Sequence, residues 1–191
     1  MTPTRRGWLL VLLGAWIAGS ICMSVVATEN FYTIDRLLAE RSSPAFAAAV
    51  DRLGSPAARD LLRYLSSELN RLYFQLWNVA QLVIGGVALW LTFELRKQDA
   101  AYRKPFLAVA LMLTIVTLML GYLTPQIVTL GRTLDFVPRD PAPPGMSRFW
   151  ILHGAYTSLE MLKLLVGAVV AISVARRSSW SLPAPGNAPT S

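Results

Sequence analysis

Apolar positions run almost unbroken through residues 7–27, and no Asp, Glu, Lys or Arg falls inside that run. At ~1.5 Å per helical residue it covers ~30 Å, the thickness of bilayer hydrocarbon. Three further apolar stretches occupy residues 72–95, 106–123 and 149–175. Lipid satisfies no backbone polar group, so such segments cross it as helices. The pattern predicts an all-α integral membrane four-helix bundle, a single domain over residues 1–177. A Pro-, Ser- and Ala-rich tail over residues 178–191 is expected to be disordered. A cleaved signal peptide is the rival reading of the first stretch, with Val25 and Ala27 before a cleavage site. The apolar region of a signal is usually only ~7–15 residues, which favours a retained helix. Gly14/Ala18 and Ala15/Gly19 are small-residue pairs that let a neighbouring helix approach closely.

The segments between the spans have their own periodicity. In residues 28–71, Phe31, Ile34, Leu37 and Leu38 lie at helical spacing. Ser43-Pro44 and Ser55-Pro56 are helix starts, and Gly54 between them is a stop. From Leu61, Leu62, Leu65 and Leu69 the pattern continues toward the second span. These features predict short amphipathic helices in the first extramembrane loop, lying at the interface or capping the bundle, then a long helix entering the membrane. Pro105 falls in the first turn of the third span, and Pro125 marks its end. Residues 124–147 read as a loop, with Pro138, Pro141, Pro143, Pro144 and Gly145 making it irregular.

Composition agrees: 54% of the chain is hydrophobic and only 15% charged, against ~25% charged in soluble domains. The net charge of +7 would suggest nucleic acid in a soluble protein, but basic residues flanking spans account for it here, and no nucleic-acid partner is expected. Arg5, Arg6, Arg96, Lys97, Arg103, Lys104, Arg176 and Arg177 fall on one side of a four-span topology. That side is predicted cytoplasmic, with both termini inside. Arg36, Arg41, Arg52, Arg59, Arg63 and Arg71 on the other side weaken the bias. The chain shows no eukaryotic targeting signal, and a multi-pass protein of a bacterial inner membrane is the expectation. The lone Cys22 and lone His153 exclude an intrachain disulfide and a bis-His haem. Cys22 reads as a small apolar packing residue.

Chemistry in the spans concentrates in the fourth. His153, Thr157 and Glu160 recur at i, i+4 and i+7, with Tyr156 and Lys163 three residues either side of Glu160. An ionised acid at mid-bilayer costs on the order of 2.5–3.5 kcal/mol on insertion scales, and Lys163 is close enough along the helix to offset it. Gln75, Asn78 and Gln81 line one face of the second span, and the two polar faces are expected to meet. Ser20, Thr114 and Thr117 could add hydroxyls at similar depth. No HExxH, P-loop, GxSxG, dinucleotide fingerprint or EF-hand loop occurs, so neither an enzyme nor a cofactor is implied. His153 and Glu160 alone are too few ligands for a metal. Three functions remain: a structural or accessory membrane protein whose buried polar cluster fixes helix pairing; a transporter or channel subunit using His153, Glu160 and Lys163; and, behind these, an enzyme or redox carrier with a cofactor between helices, which absorbance of the purified protein would expose. The bilayer is the expected partner; a transport path through so few helices would also require a homo-oligomer.

The segments GYLTPQIVTLGR (residues 121–132) and RFWILHGAYTSLEML (residues 148–162) resemble the transmembrane-protein-205-like family, small four-helix membrane proteins without an assigned function. The likeness lies in Pro125, soon after the third span, and in Phe149, Leu152, His153 and Gly154 opening the last. It implies a four-helix architecture, no enzyme and no known substrate.

Overall fold

The structure, a computed structural model, describes residues 3–177; the expected tail at 178–191 lies outside them. The described chain is helical almost throughout. Helix α1 (Pro3–Glu40) is followed by the short α2 (Pro44–Leu53) and the long α3 (Ser55–Gln98). A 3-10 turn (Ala100–Tyr102) leads into α4 (Arg103–Leu118), a π-turn (Met119–Leu123) and α5 (Thr124–Thr133). Helix α6 (Met146–Arg176) closes the fold. Four helical runs are long and apolar enough to cross a membrane: α1, α3, the α4–α5 run and α6. The chain is a multi-pass membrane protein.

The main helix contacts are α1 with α3, α3 with α4, α4 with α6 and α6 with α1. They form an up-down-up-down ring joined by short connections. Each helix turns a seam of residues spaced by four and three toward the axis, the pattern that lets nearly parallel helices interlock. On α6 the seam is Tyr156, Glu160, Lys163, Gly167, Val170 and Val174. On α1 it is Leu9, Leu13, Trp16 and Ser20. The end near Arg5 is filled by an apolar cluster that includes Leu9, Leu95, Tyr102, Val109 and Val174. The middle is packed by Trp16, Met112 and Val116. Ile115, Met119, Leu123 and Tyr156 pack the other end. Gly19 lets Trp77 approach: a Cβ there would overlap the indole's six-membered ring.

Two connections differ from expectation. Residues 28–40 are not a separate helix but the last turns of α1. Nothing between Ala27 and Glu40 breaks a helix, and α3 runs alongside to support it. Asn70 Nδ2 donates to Ala27 O at 2.9 Å, Ser66 Oγ donates to Asn30 O at 3.0 Å, and Asn30 Nδ2 donates to Asn70 Oδ1 at 2.6 Å. The result is an antiparallel arm that continues the bundle beyond its polar rim, pinned further out by Arg59–Asp35 at 2.6 Å. Helix α2 covers its tip, with Val50 buried against the arm. Gly54, at φ +79°, makes the turn from α2 to α3, a conformation that favours glycine.

The third span likewise runs past Pro125. Proline lacks an N–H, and its ring clashes with the carbonyl four residues earlier, here that of Gly121. The chain widens into a π-turn just before the proline, with the Thr124 N–H bonded to Met119 O, and helix resumes to Thr133. The irregular loop shrinks to residues 134–145. Arg71 ties it down through Asp135 Oδ2 at 2.9 Å and Oδ1 at 3.1 Å.

Candidate functional site: a buried polar network

The seams of α3 and α6 carry the polar residues of the spans to a common point. Asn78, Gln81 and Lys163 have no exposed surface, and Glu160 keeps 8%. Lys163 Nζ donates to Glu160 Oε2 at 2.6 Å and also to Gln81 Oε1. The same Gln81 oxygen accepts from Trp16 Nε1 of α1 at 2.8 Å. Gln81 Nε2 donates to Asn78 Oδ1 at 3.3 Å, which also accepts from the Tyr156 hydroxyl at 3.2 Å. Asn78 Nδ2 donates to Thr124 Oγ1 at 3.1 Å, beyond the π-turn. One connected network thus touches all four spanning runs.

An interior of low dielectric strengthens each of these bonds and penalises any polar atom left out. The ion pair is short and sits on one helix, so formal charge is neutralised locally. One atom stands outside this accounting. Glu160 Oε1 is buried and has no hydrogen-bond partner.

The structure separates the polar residues singled out above. Tyr156, Glu160, Lys163, Asn78 and Gln81 come together. His153, Thr157 and Gln75 do not, all three being exposed on outer faces. The expected face centred on His153 and Thr157 is therefore corrected to one through Tyr156 and Lys163. The His153 ring stacks on Phe149 at 6.0 Å and meets Trp150 edge-on at 5.8 Å. The Thr157 hydroxyl returns to the His153 carbonyl at 3.0 Å. Ser20 is buried beside the network and accepts from Trp77 Nε1 at 3.3 Å. Thr114 and Thr117 are exposed and bond carbonyls of their own helix. Cys22, expected as a packing residue, is also exposed. Trp16 and Thr124 were not anticipated. Trp16 sits on the four-three seam of α1, where its spacing from Leu9 and Leu13 could have revealed it. Thr124 lay beyond the expected end of its span.

Among the described residues no group of three His, Cys, Asp or Glu side chains could hold a metal ion. A groove of about 600 Å³ opens on the outer side of α3 and α4, lined by Leu89, Ala110, Leu113, Thr114, Thr117, Leu118, Gly121 and Tyr122. A hollow of about 470 Å³ lies at the arm, beside Asp35 and Arg59. Neither includes a network residue. No family model, curated protein or solved structure matches the chain.

Proposed function

We propose that the protein is a structural or accessory membrane protein whose buried polar network fixes the pairing and register of its four spans. The observation that carries this reading is the network's reach. Seven side chains on all four runs are joined by six hydrogen bonds. A slip of any one span by a turn, ~5.4 Å, would strand several buried polar atoms at once. In lipid, where apolar faces do not distinguish a neighbouring helix from an acyl chain, such bonds are what specify a partner.

A second reading rests on Glu160 Oε1, the buried acceptor without a partner. An intramembrane carboxylate beside a lysine is the usual equipment of an ion or proton path, and the protein would then be a subunit of a transporter or channel. His153, stacked on the outer face, plays no part in such a path. Flux measured in proteoliposomes separates the two readings. The structural reading expects proton, sodium and potassium flux equal to that of protein-free vesicles. A flux that Glu160→Gln abolishes while the protein stays folded would overturn it.

The proposed orientation places both termini in the cytoplasm of a bacterium's inner membrane. It is supported by the meeting of basic residues at one end of the bundle, where Arg6 bonds the Val174 carbonyl and Arg5 pairs with Glu94. Membership of the transmembrane-protein-205-like family is part of the same proposal and rests on residues 121–132 and 148–162.

A further inference from the structure

The cations at the basic end of the bundle differ in what holds them. Arg6 is spent on the Val174 and Ala175 carbonyls. Arg5 and Lys97 share Glu94, at 3.4 and 2.7 Å. The Arg177 guanidinium lies 5.6 Å from the centre of the Tyr102 ring. Asp99, the only acid in the connection from α3 to α4, accepts from the Ala101 N–H at 2.8 Å. That leaves Arg96, Arg103 and Lys104, whose side chains have neither a carboxylate nor a hydrogen-bond partner among the described residues.

Arg96 is not a loose surface cation. Its guanidinium carbon lies 4.5 Å from the centre of the Phe106 ring and 5.3 Å from that of Phe93, and the residue is half-buried. The two rings belong to α4 and α3, and their centres are 6.1 Å apart. Stacking of this kind engages the flat faces of a guanidinium. It leaves the N–H donors on the edge, the fork that matches a phosphate. A basic residue that only sets topology needs no such seat. Arg103, three residues before Phe106 and on the same face of α4, brings a second cation to the mouth of the seam.

What lies below the cations decides the occupant. Phe93 and Leu89 continue the Arg96 face of α3 at i−3 and i−7. Ala110, Leu113 and Thr117 continue the Phe106 face of α4 at i+4, i+7 and i+11. Leu89, Ala110, Leu113 and Thr117 line the groove of about 600 Å³ between these helices. The groove therefore opens beneath Arg96 and Arg103 on the same seam. Half of the bilayer hydrocarbon is ~15 Å deep, so an acyl chain descending from Phe106 reaches about the level of Thr117. We infer that this seam binds an anionic phospholipid, with its phosphate on Arg96 and Arg103 and one acyl chain in the groove. A free anion has no use for the groove. A zwitterionic lipid brings its own cation to a place where three are already uncompensated. No residue of the polar network takes part, so the inference stands or falls separately from the proposed structural role.

The test is native mass spectrometry of the full chain in detergent, titrated with phosphatidylglycerol or with phosphatidylcholine carrying the same acyl chains. One molecule of phosphatidylglycerol is expected to stay bound, and phosphatidylcholine to bind about 5-fold more weakly or worse. Arg96→Gln and the exposed Arg103→Gln should each weaken phosphatidylglycerol binding about 5-fold, the equivalent of one cation near an anionic surface. Arg96→Lys should recover only part of that loss, because an ammonium is a point charge without the fork. Arg63→Gln, at an exposed position near the other end of α3, removes the same charge and should change nothing. Equal affinity for the two lipids would overturn the site, as would losses at Arg96 and Arg103 no larger than at Arg63, or an Arg96→Lys variant that binds like the wild type. Inorganic phosphate that displaces the lipid at constant ionic strength would also overturn it, by showing that the anion binds without the groove.

Discussion

Gly85→Ala adds one methyl group to the bundle and should loosen the polar network by pressing on one of its members, Trp16. A Cβ at Gly85 would lie 2.7 Å from Leu113 Cδ1 and 2.7 Å from Trp16 Cη2. The two neighbours respond differently. Leu113 is half-buried beside an open groove and can rotate away. Trp16 is 1% exposed and held at its other end by the 2.8 Å bond to Gln81. Overpacking of this kind costs about 1–3 kcal/mol, and displacing the indole risks a further ~0.6–2 kcal/mol for the hydrogen bond. Replacing glycine in a helix returns up to ~1 kcal/mol. The net expectation is a loss of about 1–4 kcal/mol. Gly14→Ala is the control, because a Cβ there meets nothing within 4 Å, and it should be neutral or stabilising by up to ~1 kcal/mol. Equilibrium unfolding in detergent micelles reads both, and the indole N–H resonance of Trp16, assigned by its loss in Trp16→Phe, is the local probe. Equal stability of Gly85→Ala and wild type, with that resonance unmoved, would show that close approach at Gly85 is not what seats Trp16 on Gln81.

Other substitutions test other parts. His153→Ala should change stability by no more than ~0.5 kcal/mol, because the residue is exposed and its ring lies against the neighbouring Phe149 and Trp150 of its own helix; a large loss in the same unfolding assay would contradict its placement. Arg71→Met leaves the mostly buried Asp135 carboxylate without its bidentate partner and should cost about 1–3 kcal/mol, with faster amide exchange in residues 134–145 by mass spectrometry. Arg6→Ala removes two bonds to the Val174 carbonyl at the end of α6 and should cost about 1–2 kcal/mol, of which lysine restores only part because it cannot reproduce the paired geometry.

The spans were legible in the sequence because bilayer thickness sets a length that few soluble segments reach. The starts of α2 and α3 were legible from Ser43-Pro44, Gly54 and Ser55-Pro56. The inward face of each span was not. Lipid accepts apolar side chains as readily as the bundle's core does, so hydrophobicity marks no face within a span. His153, Thr157 and Glu160 therefore looked as coherent as Tyr156, Glu160 and Lys163, and only the packing of α6 against α3 distinguishes them. Gln75 shows the same limit, since Asn78 and Gln81 turn inward while Gln75, only three residues away from Asn78, does not. The helicity of residues 28–40 is legible from the spacing of Phe31, Ile34, Leu37 and Leu38, but its continuity with the first span is not: the change from apolar to charged composition reads as an end, and it is the neighbouring α3, through Ser66 and Asn70, that carries the helix on. Pro125 reads as a stop because a proline usually ends a helix, whereas a π-turn lets this one continue.

In the proposed structural role, Glu160 and Lys163 act as a mutually dependent pair. A double-mutant cycle over Glu160→Gln, Lys163→Met and the two together tests it most directly, read by equilibrium unfolding in detergent. Each single change strands a charge inside the bundle, and the predicted loss is about 3–5 kcal/mol. The double variant carries no buried charge at this point and should recover at least half of the combined loss, as a coupling energy of ~2 kcal/mol or more. Losses that simply add, or single variants as stable as the wild type, would contradict the claim that this pair holds the four helices together.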